Sequence, residues 1–249
     1  MSEIRSTTTI EEINVPPREP LVSFADVLMS EARGTLQGAS SATTTAGTGK
    51  NIIHHAGTSL LKAQGDLRRH ATFSEVDQIA ATAGSAREAV TLLAAASAIE
   101  VPHRVSKALA TKLTTLVTNN DKIGVAAVAR DLVAARQSRL HSQLIPLVVE
   151  SCRAIGFVPT GLSADLGLVA ANRPGTRQCM NIDVARTKDG GVQLHLDADG
   201  FEGAACVETL NSLQSELRKR GVECDLQERR RKPSRPVRIG RPVRVRLVS

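Results

Sequence analysis

Near residue 156 the spacing of apolar residues changes from about 3.6 to 2. Before it, Leu144, Val148, Cys152 and Ile155 recur at helical spacing; after it, Met180, Ile182 and Val184, then Val192, Leu194 and Leu196, alternate with polar residues. Helix-period runs followed by strand-period runs specify an α+β chain, with helices segregated to one side of an antiparallel sheet. The expected fold is an N-terminal antiparallel helical bundle or hairpin, then a small antiparallel β-meander covered on one face by two helices.

The strand-period block divides at turn residues. Runs at 167–173, 179–186 and 191–199 are separated by "PGT" and "KDGG", the composition of tight turns. "FVP" at 157–159 adds a candidate edge strand. In the last long strand, Gln193, His195 and Asp197 share the wet face while the leucines share the dry one. Two helices are available to cover that dry face. One ends at Gly156. The other follows "GFEGAACVET" (200–209) and carries Ala204, Val207, Leu210, Leu213 and Leu217 as a stripe, a Glu216–Arg220 pair at helical spacing, and Gly221 as its stop. "VECDL" at 222–226 is a candidate returning strand.

Upstream, Thr72 and Glu75 stand at capping-box spacing, and Val76, Ile79, Ala80 and Ala83, then Val90, Leu93 and Ala94, predict one amphipathic helix from Thr72 onward. A second is predicted over 102–118. Asn119, Asn120 and Asp121 supply a turn and a cap for a third, over 122–143, which Pro146 breaks or kinks. Residues 1–72 read as weakly ordered, with "GASSATTTAGTGK" of low complexity and a short helix at 24–33 capped by Ser23. The expected organisation is therefore a largely disordered segment at 1–72, a helical domain at 73–143, a small α+β domain at 144–228 and a basic tail at 229–249.

Composition narrows the function. There is no Trp or Tyr and there are four Phe, so base stacking on aromatic platforms has almost nothing to work with. Cys152, Cys179, Cys206 and Cys224 are far apart and lack the paired spacing of a zinc site, so no metal or cofactor is expected. With no apolar leader and no long apolar run, the expected location is the cytoplasm, without membrane contact. The net charge of +7 is uneven. Arg229, Arg230, Arg231, Lys232, Arg235, Arg238, Arg241, Arg244 and Arg246 carry +9 with no acid among them, which leaves the remainder mildly acidic. Such a tail suits an acidic protein groove or the phosphates of a nucleic acid, bound without sequence preference.

Three motifs compete with plainer readings. "TTTAGTGKN" lacks the first glycine and the Ser/Thr after lysine of a phosphate loop, since Thr44 and Asn51 occupy those places, and reads as linker. Adjacent His54 and His55 point apart on a helix and cannot chelate together. Cys206, at the start of a helix, is a candidate nucleophile because the helix dipole favours a thiolate, with His195 as the candidate base. The alternative for Cys206 is packing on the sheet, and for His195 a solvated strand face.

Residues 179–227, through Gly200, Gly203, Cys206 and the leucine stripe of "DGGVQLHLDADGFEGAACVETLNSLQSEL", resemble a small family of uncharacterised bacterial modules. These consist of a strand pair, a glycine-x-x-glycine turn, a cysteine and a helix, and are associated with AAA-type ATPases. The resemblance implies a bacterial accessory protein and a partner of that kind. Three functional expectations follow: a non-enzymatic interaction or accessory subunit docking through its termini, a nucleic-acid-associated protein using the Arg-rich tail, or a thiol-dependent enzyme using Cys206.

Overall fold

The computed structural model describes residues 4–10, 19–28, 70–96, 99–202, 204–224 and 229–230. It is a mixed helix and strand protein with two antiparallel sheets. The chain divides into two compact units, one of Met1–Val15, Arg139–Thr187 and Gly191–Ser249, the other of Pro16–Ser138 and Lys188–Gly190.

Among its described residues the second unit is mainly helical, with one two-stranded sheet. Strand β2 (Leu21–Ser23) pairs antiparallel with β3 (Glu100–Pro102). Residues 24–28 continue from β2 as helix, and the Asp26 amide donates to Ser23 Oγ at 3.0 Å; residues 29–33 lie outside the described residues. Helices α1 (Phe73–Thr82), α2 (Ala86–Ala96), α3 (His103–Thr118) and the first part of α4 (Lys122–Ala154) follow. Phe24, Val76, Leu93, Val101, Leu113 and Val125 are buried together in the core of this unit.

The single helix expected from Thr72 onward is two helices. Thr72 caps α1 with a full capping box, accepting from the Glu75 amide while the Glu75 carboxylate accepts from the Thr72 amide. At Ala83 the backbone turns extended and α1 stops. Ser85 then accepts from the Glu88 amide at 3.2 Å, and the Glu88 carboxylate reaches back to the Gly84 amide at 2.8 Å. Ser85-x-x-Glu88 is thus a second start signal, and it overrides the apolar period running across it. Asn120, at φ 52°, closes the turn before α4 and offers its side-chain oxygen to the Ala86 amide at 2.9 Å, which caps α2 a second time.

Helix α4 runs through Pro146 rather than ending at 143. Proline deprives the Ser142 carbonyl of its helical donor. Both Ser142 and Pro146 are exposed, so the break in the ladder lies on the solvent side of the helix, which continues through it. It ends at Gly156 (φ 85°), where the Phe157 amide donates to Cys152 O and the Gly156 amide to Arg153 O, a Schellman motif.

The first unit is built on a six-stranded sheet in the order β4–β5–β6–β7–β1–β8. Strands β4 (Val158–Ser163), β5 (Leu168–Asn172), β6 (Cys179–Arg186) and β7 (Val192–Asp199) are successive antiparallel neighbours. Strand β1 (Ile4–Ile10), in the segment expected to be weakly ordered, pairs with β7 over its whole length, and β8 (Arg229–Arg230) pairs with β1. Met180, Ile182, Val184, Leu194 and Leu196 are buried with Leu144, Val148 and Cys152 of α4 and with Cys206, Leu210, Leu213 and Leu217 of α5 (Ala205–Lys219). Helix α5 ends at Gly221 (φ 79°) in a second Schellman motif, with Val222 N–H donating to Leu217 O and Gly221 N–H to Arg218 O. Of the strand expected at 222–226, Val222 makes a single β-bridge and Glu223 and Cys224 are not strand; Gln214 Nε2 donates to Cys224 O at 2.7 Å and Arg218 donates to the same carbonyl. The last two residues of that stretch lie outside the described residues.

Thr72→Ala and Ser85→Ala should each lower the stability of the chain by about 1 kcal/mol, read as a lower urea midpoint at unchanged slope.

Candidate functional site

Strand alternation decides where the sheet presents chemistry. The dry face of β6 and β7 is closed by the core; the other face carries Asn181, Asp183, Gln193, His195, Asp197 and Asp199, all exposed or half-buried. Register arranges these residues in rows. Asp183 lies directly opposite His195, whose other neighbour is Thr7. Asn181 lies opposite Asp197, which faces Arg5, and Arg5 faces Arg229. Cys179 lies between Asn172 and Asp199. The face is polar and acidic, and its one imidazole sits beside a carboxylate, a pairing that can orient a general base. Among the described residues no group of three or more His, Cys, Asp and Glu side chains is placed to hold a metal ion.

Cys206 is elsewhere. It is the second residue of α5, fully buried, in the same core as Leu194 and Leu196. His195 is the residue between those two leucines, and successive side chains on a strand point to opposite faces. The sheet therefore separates the candidate nucleophile from its candidate base. The structure does not bring them together.

The corner that begins "GFEG" is governed by packing. Gly200 has φ 77°, and a Cβ there would meet the Arg177 carbonyl oxygen at 2.0 Å. Only glycine lets the chain pass this close to the β5–β6 turn. Phe201 then enters the core and stacks on Phe157, with ring centroids 6.1 Å apart. Arg173 lies over the Phe157 ring at 4.8 Å and donates to Gln178 Oε1 and Ile155 O, which ties the end of α4 to the same turn. Gly203 lies outside the described residues.

Two of the other cysteines, Cys152 and Cys179, are held as thiols by their surroundings. Burial pushes the Cys152 thiol up to about 12. Burial, and then the Asp199 carboxylate, raise Cys179, against a hydrogen bond with the Asp199 backbone. A raised thiol pKa disfavours the thiolate that reacts.

Of the basic residues, Arg229 and Arg230 form β8, so the tail begins at a sheet edge in register with Arg5 and Ile4. Arg231, Lys232, Arg235, Arg238, Arg241, Arg244 and Arg246 lie outside the described residues, as do Thr44, Asn51, His54 and His55 of the other sequence motifs.

Two features were missed by sequence reasoning. His141 is buried on α4, and its ring donates to the Val184 carbonyl. Burial first, then Arg186, hold its pKa below the ordinary imidazole value, against that hydrogen bond and Asp183. A Cβ on Gly167 (φ 71°) would meet Val184 O at 2.3 Å and His141 Nε2 at 2.7 Å, so this glycine makes room for the contact. No local pattern signals such a pairing. The second feature is the β4–β5 hairpin, where Val158, Leu162, Leu166 and Leu168 are exposed. Its signal was present as apolar residues of both parities around the "SADLG" turn, where strict alternation would place only one set inside.

Comparison with protein-family models, with curated proteins and with solved structures returns no match.

Gly200→Ala should destabilise the chain by roughly 2–3 kcal/mol or more, because it adds positive-φ strain to a backbone overlap; urea unfolding reads it. Cys152 gives a pH dependence. Its folded pKa is raised, so the folded state keeps a proton that the unfolded state loses above about 8.5. Stability is then full below that pH and falls by about 1.4 kcal/mol per unit as pH rises toward the folded value. Cys152→Ala should flatten this alkaline slope in urea titrations between about pH 8.5 and 11.

Proposed function

We propose that the chain is a non-enzymatic accessory subunit of a multi-protein assembly, bacterial and cytoplasmic, that docks through its sheet module and its termini. The observation that carries this reading is the β4–β5 hairpin. Of seven exposed large apolar side chains among the described residues, Val158, Leu162, Leu166 and Leu168 all belong to this one hairpin at the sheet edge. Clustered apolar surface of this kind is the mark of an interaction site. Pro159 and the register shift between Pro159 and Gly161 interrupt the outer ladder, so contact there runs through side chains rather than an added strand.

In this reading an N-terminal antiparallel helical bundle (73–143) is joined to a β-meander covered on one face by two helices (144–228). The segment at 1–72 and the basic tail at 229–249 serve as further contacts. The resemblance of residues 179–227 to modules associated with AAA-type ATPases supplies the class of partner. Separation of Cys206 from His195 by the sheet weighs against the thiol-enzyme reading. No described helix is long and apolar enough to cross a membrane.

The Arg-rich tail favours a second reading, non-specific contact with nucleic-acid phosphates. Its salt signature would be steep, with a slope near −0.9 per neutralised phosphate on duplex DNA.

Affinity capture from the native host with three baits tests the first reading. The wild-type chain and Ile123→Asp, an exposed change far from the hairpin in sequence, should retain one stoichiometric protein. Leu162→Asp/Leu168→Asp should retain at least tenfold less. A wild-type chain that returns no stoichiometric protein sinks the reading. Deletion of residues 231–249 tests the second: retention on DNA or RNA that is unchanged across a salt series removes it.

A further inference from the structure

Strand β1 is an unusual occupant of the place it fills. Its even-numbered residues lie in register with the dry row of β7: Ile4 with Ala198, Ser6 with Leu196, Thr8 with Leu194 and Ile10 with Val192. Leu194 and Leu196 are 0% and 1% exposed. Where two apolar residues would extend the core, β1 offers Ser6 and Thr8. Its odd-numbered residues lie along the wet row, with Arg5 opposite Asp197.

The sequence contains a segment that suits the dry row better at two positions and matches Arg5 on the wet row. Val243, Arg244, Val245, Arg246 and Leu247 alternate apolar and basic residues at period two. With Val243 in the register position of Ile4, Val245 replaces Ser6 opposite Leu196 and Leu247 replaces Thr8 opposite Leu194. Arg244 then takes the position of Arg5 opposite Asp197. Apolar side chains meet the dry row and a guanidinium meets the acidic one.

Direction and reach agree. Strand β8 runs antiparallel to β1, so a chain that reverses after β8 runs in the direction of β1, antiparallel to β7. About a dozen residues separate Arg230 from Val243, an extended reach of roughly 40 Å, whereas neighbouring strands are only about 4.8 Å apart. Pro233, Pro236 and Pro242 all precede the segment, so no proline has to enter a central strand.

We propose that the β7 edge is a strand-acceptor site with two alternative occupants: β1, as seen, and residues 243–247 of this chain or of a second copy. The inference stands apart from the assembly reading, since it concerns a contact made by this polypeptide with itself.

Hydrogen exchange on the full chain tests it. In wild type, β1 is released whenever the tail takes its place; in Val245→Asp/Leu247→Asp that route is closed. Amides of residues 4–10 should therefore exchange at least tenfold more slowly in the double variant. A fluorescein-labelled peptide of residues 241–249 should bind this variant saturably and speed exchange at 4–10 while β7 stays protected. Ser6→Val/Thr8→Val, which strengthens β1, should weaken peptide binding about tenfold. Dependence of the wild-type exchange on protein concentration assigns the tail to a second copy; independence assigns it to the same chain. Equal exchange of residues 4–10 in wild type and Val245→Asp/Leu247→Asp overturns the proposal. So does equal binding by a peptide carrying Val243→Ser, Val245→Ser and Leu247→Ser, because that would be charge attraction alone.

Discussion

One row of side chains sets the terms for the first unit. Met180, Ile182 and Val184 on β6, and Val192, Leu194 and Leu196 on β7, put all their apolar surface on one side of a sheet. At roughly 1.5–3 kcal/mol for each large side chain removed from water, that side cannot remain wet. Helix α4 before the sheet and α5 after it contribute Leu144, Val148, Leu210, Leu213 and Leu217 to close it. The glycine corners follow from this requirement. Gly156 and Gly221 stop the two helices, and Gly200 carries the chain from strand to helix without overlapping the Arg177 carbonyl. The chemistry follows as well, because whatever alternates with the leucines faces out. His195 and Asp183 are available to solvent for the same reason that Cys206 is not.

Local signals were the ones most readable in the sequence. Capping at Thr72, the turn at Asn119–Asp121, the helix stops at Gly156 and Gly221, and the three long strands are each written within a few residues. The Ser85-x-x-Glu88 start was equally local and was masked by the apolar period spanning it. Other features depend on partners distant in the chain. Strand β1 has too few apolar residues to announce itself, and it exists because β7 offers an open ladder of amides and carbonyls. Apolar residues of both parities around 165 state that one set must face out, but that the hairpin carrying Leu162 and Leu168 lies at the end of the sheet depends on the strand order, which no local pattern states. The burial of His141 beside Val184 likewise needs the sheet to be in place.

The candidate site divides along the same line. Alternation alone assigned His195 to the wet face and the leucines to the dry one, and this suffices to separate His195 from a cysteine that packs against those leucines. The cross-strand identity of its neighbour, Asp183, required the register. Arg173 shows the limit more sharply: its contacts with Phe157, Gln178 and Ile155 draw together three elements, and nothing near residue 173 in sequence marks it as an anchor.

The polarity of β1 also bears on how the chain is made. Roughly 180 residues separate β1 from β7, so at about 5–20 residues per second the first strand leaves the ribosome some 10–40 s before its partner exists. A hydrophobic strand waiting that long with open edges would invite pairing with other nascent chains. Ser6, Thr7, Thr8 and Thr9 make a strand that tolerates the delay in water, and Ile10 is the apolar residue of β1 buried in the finished core.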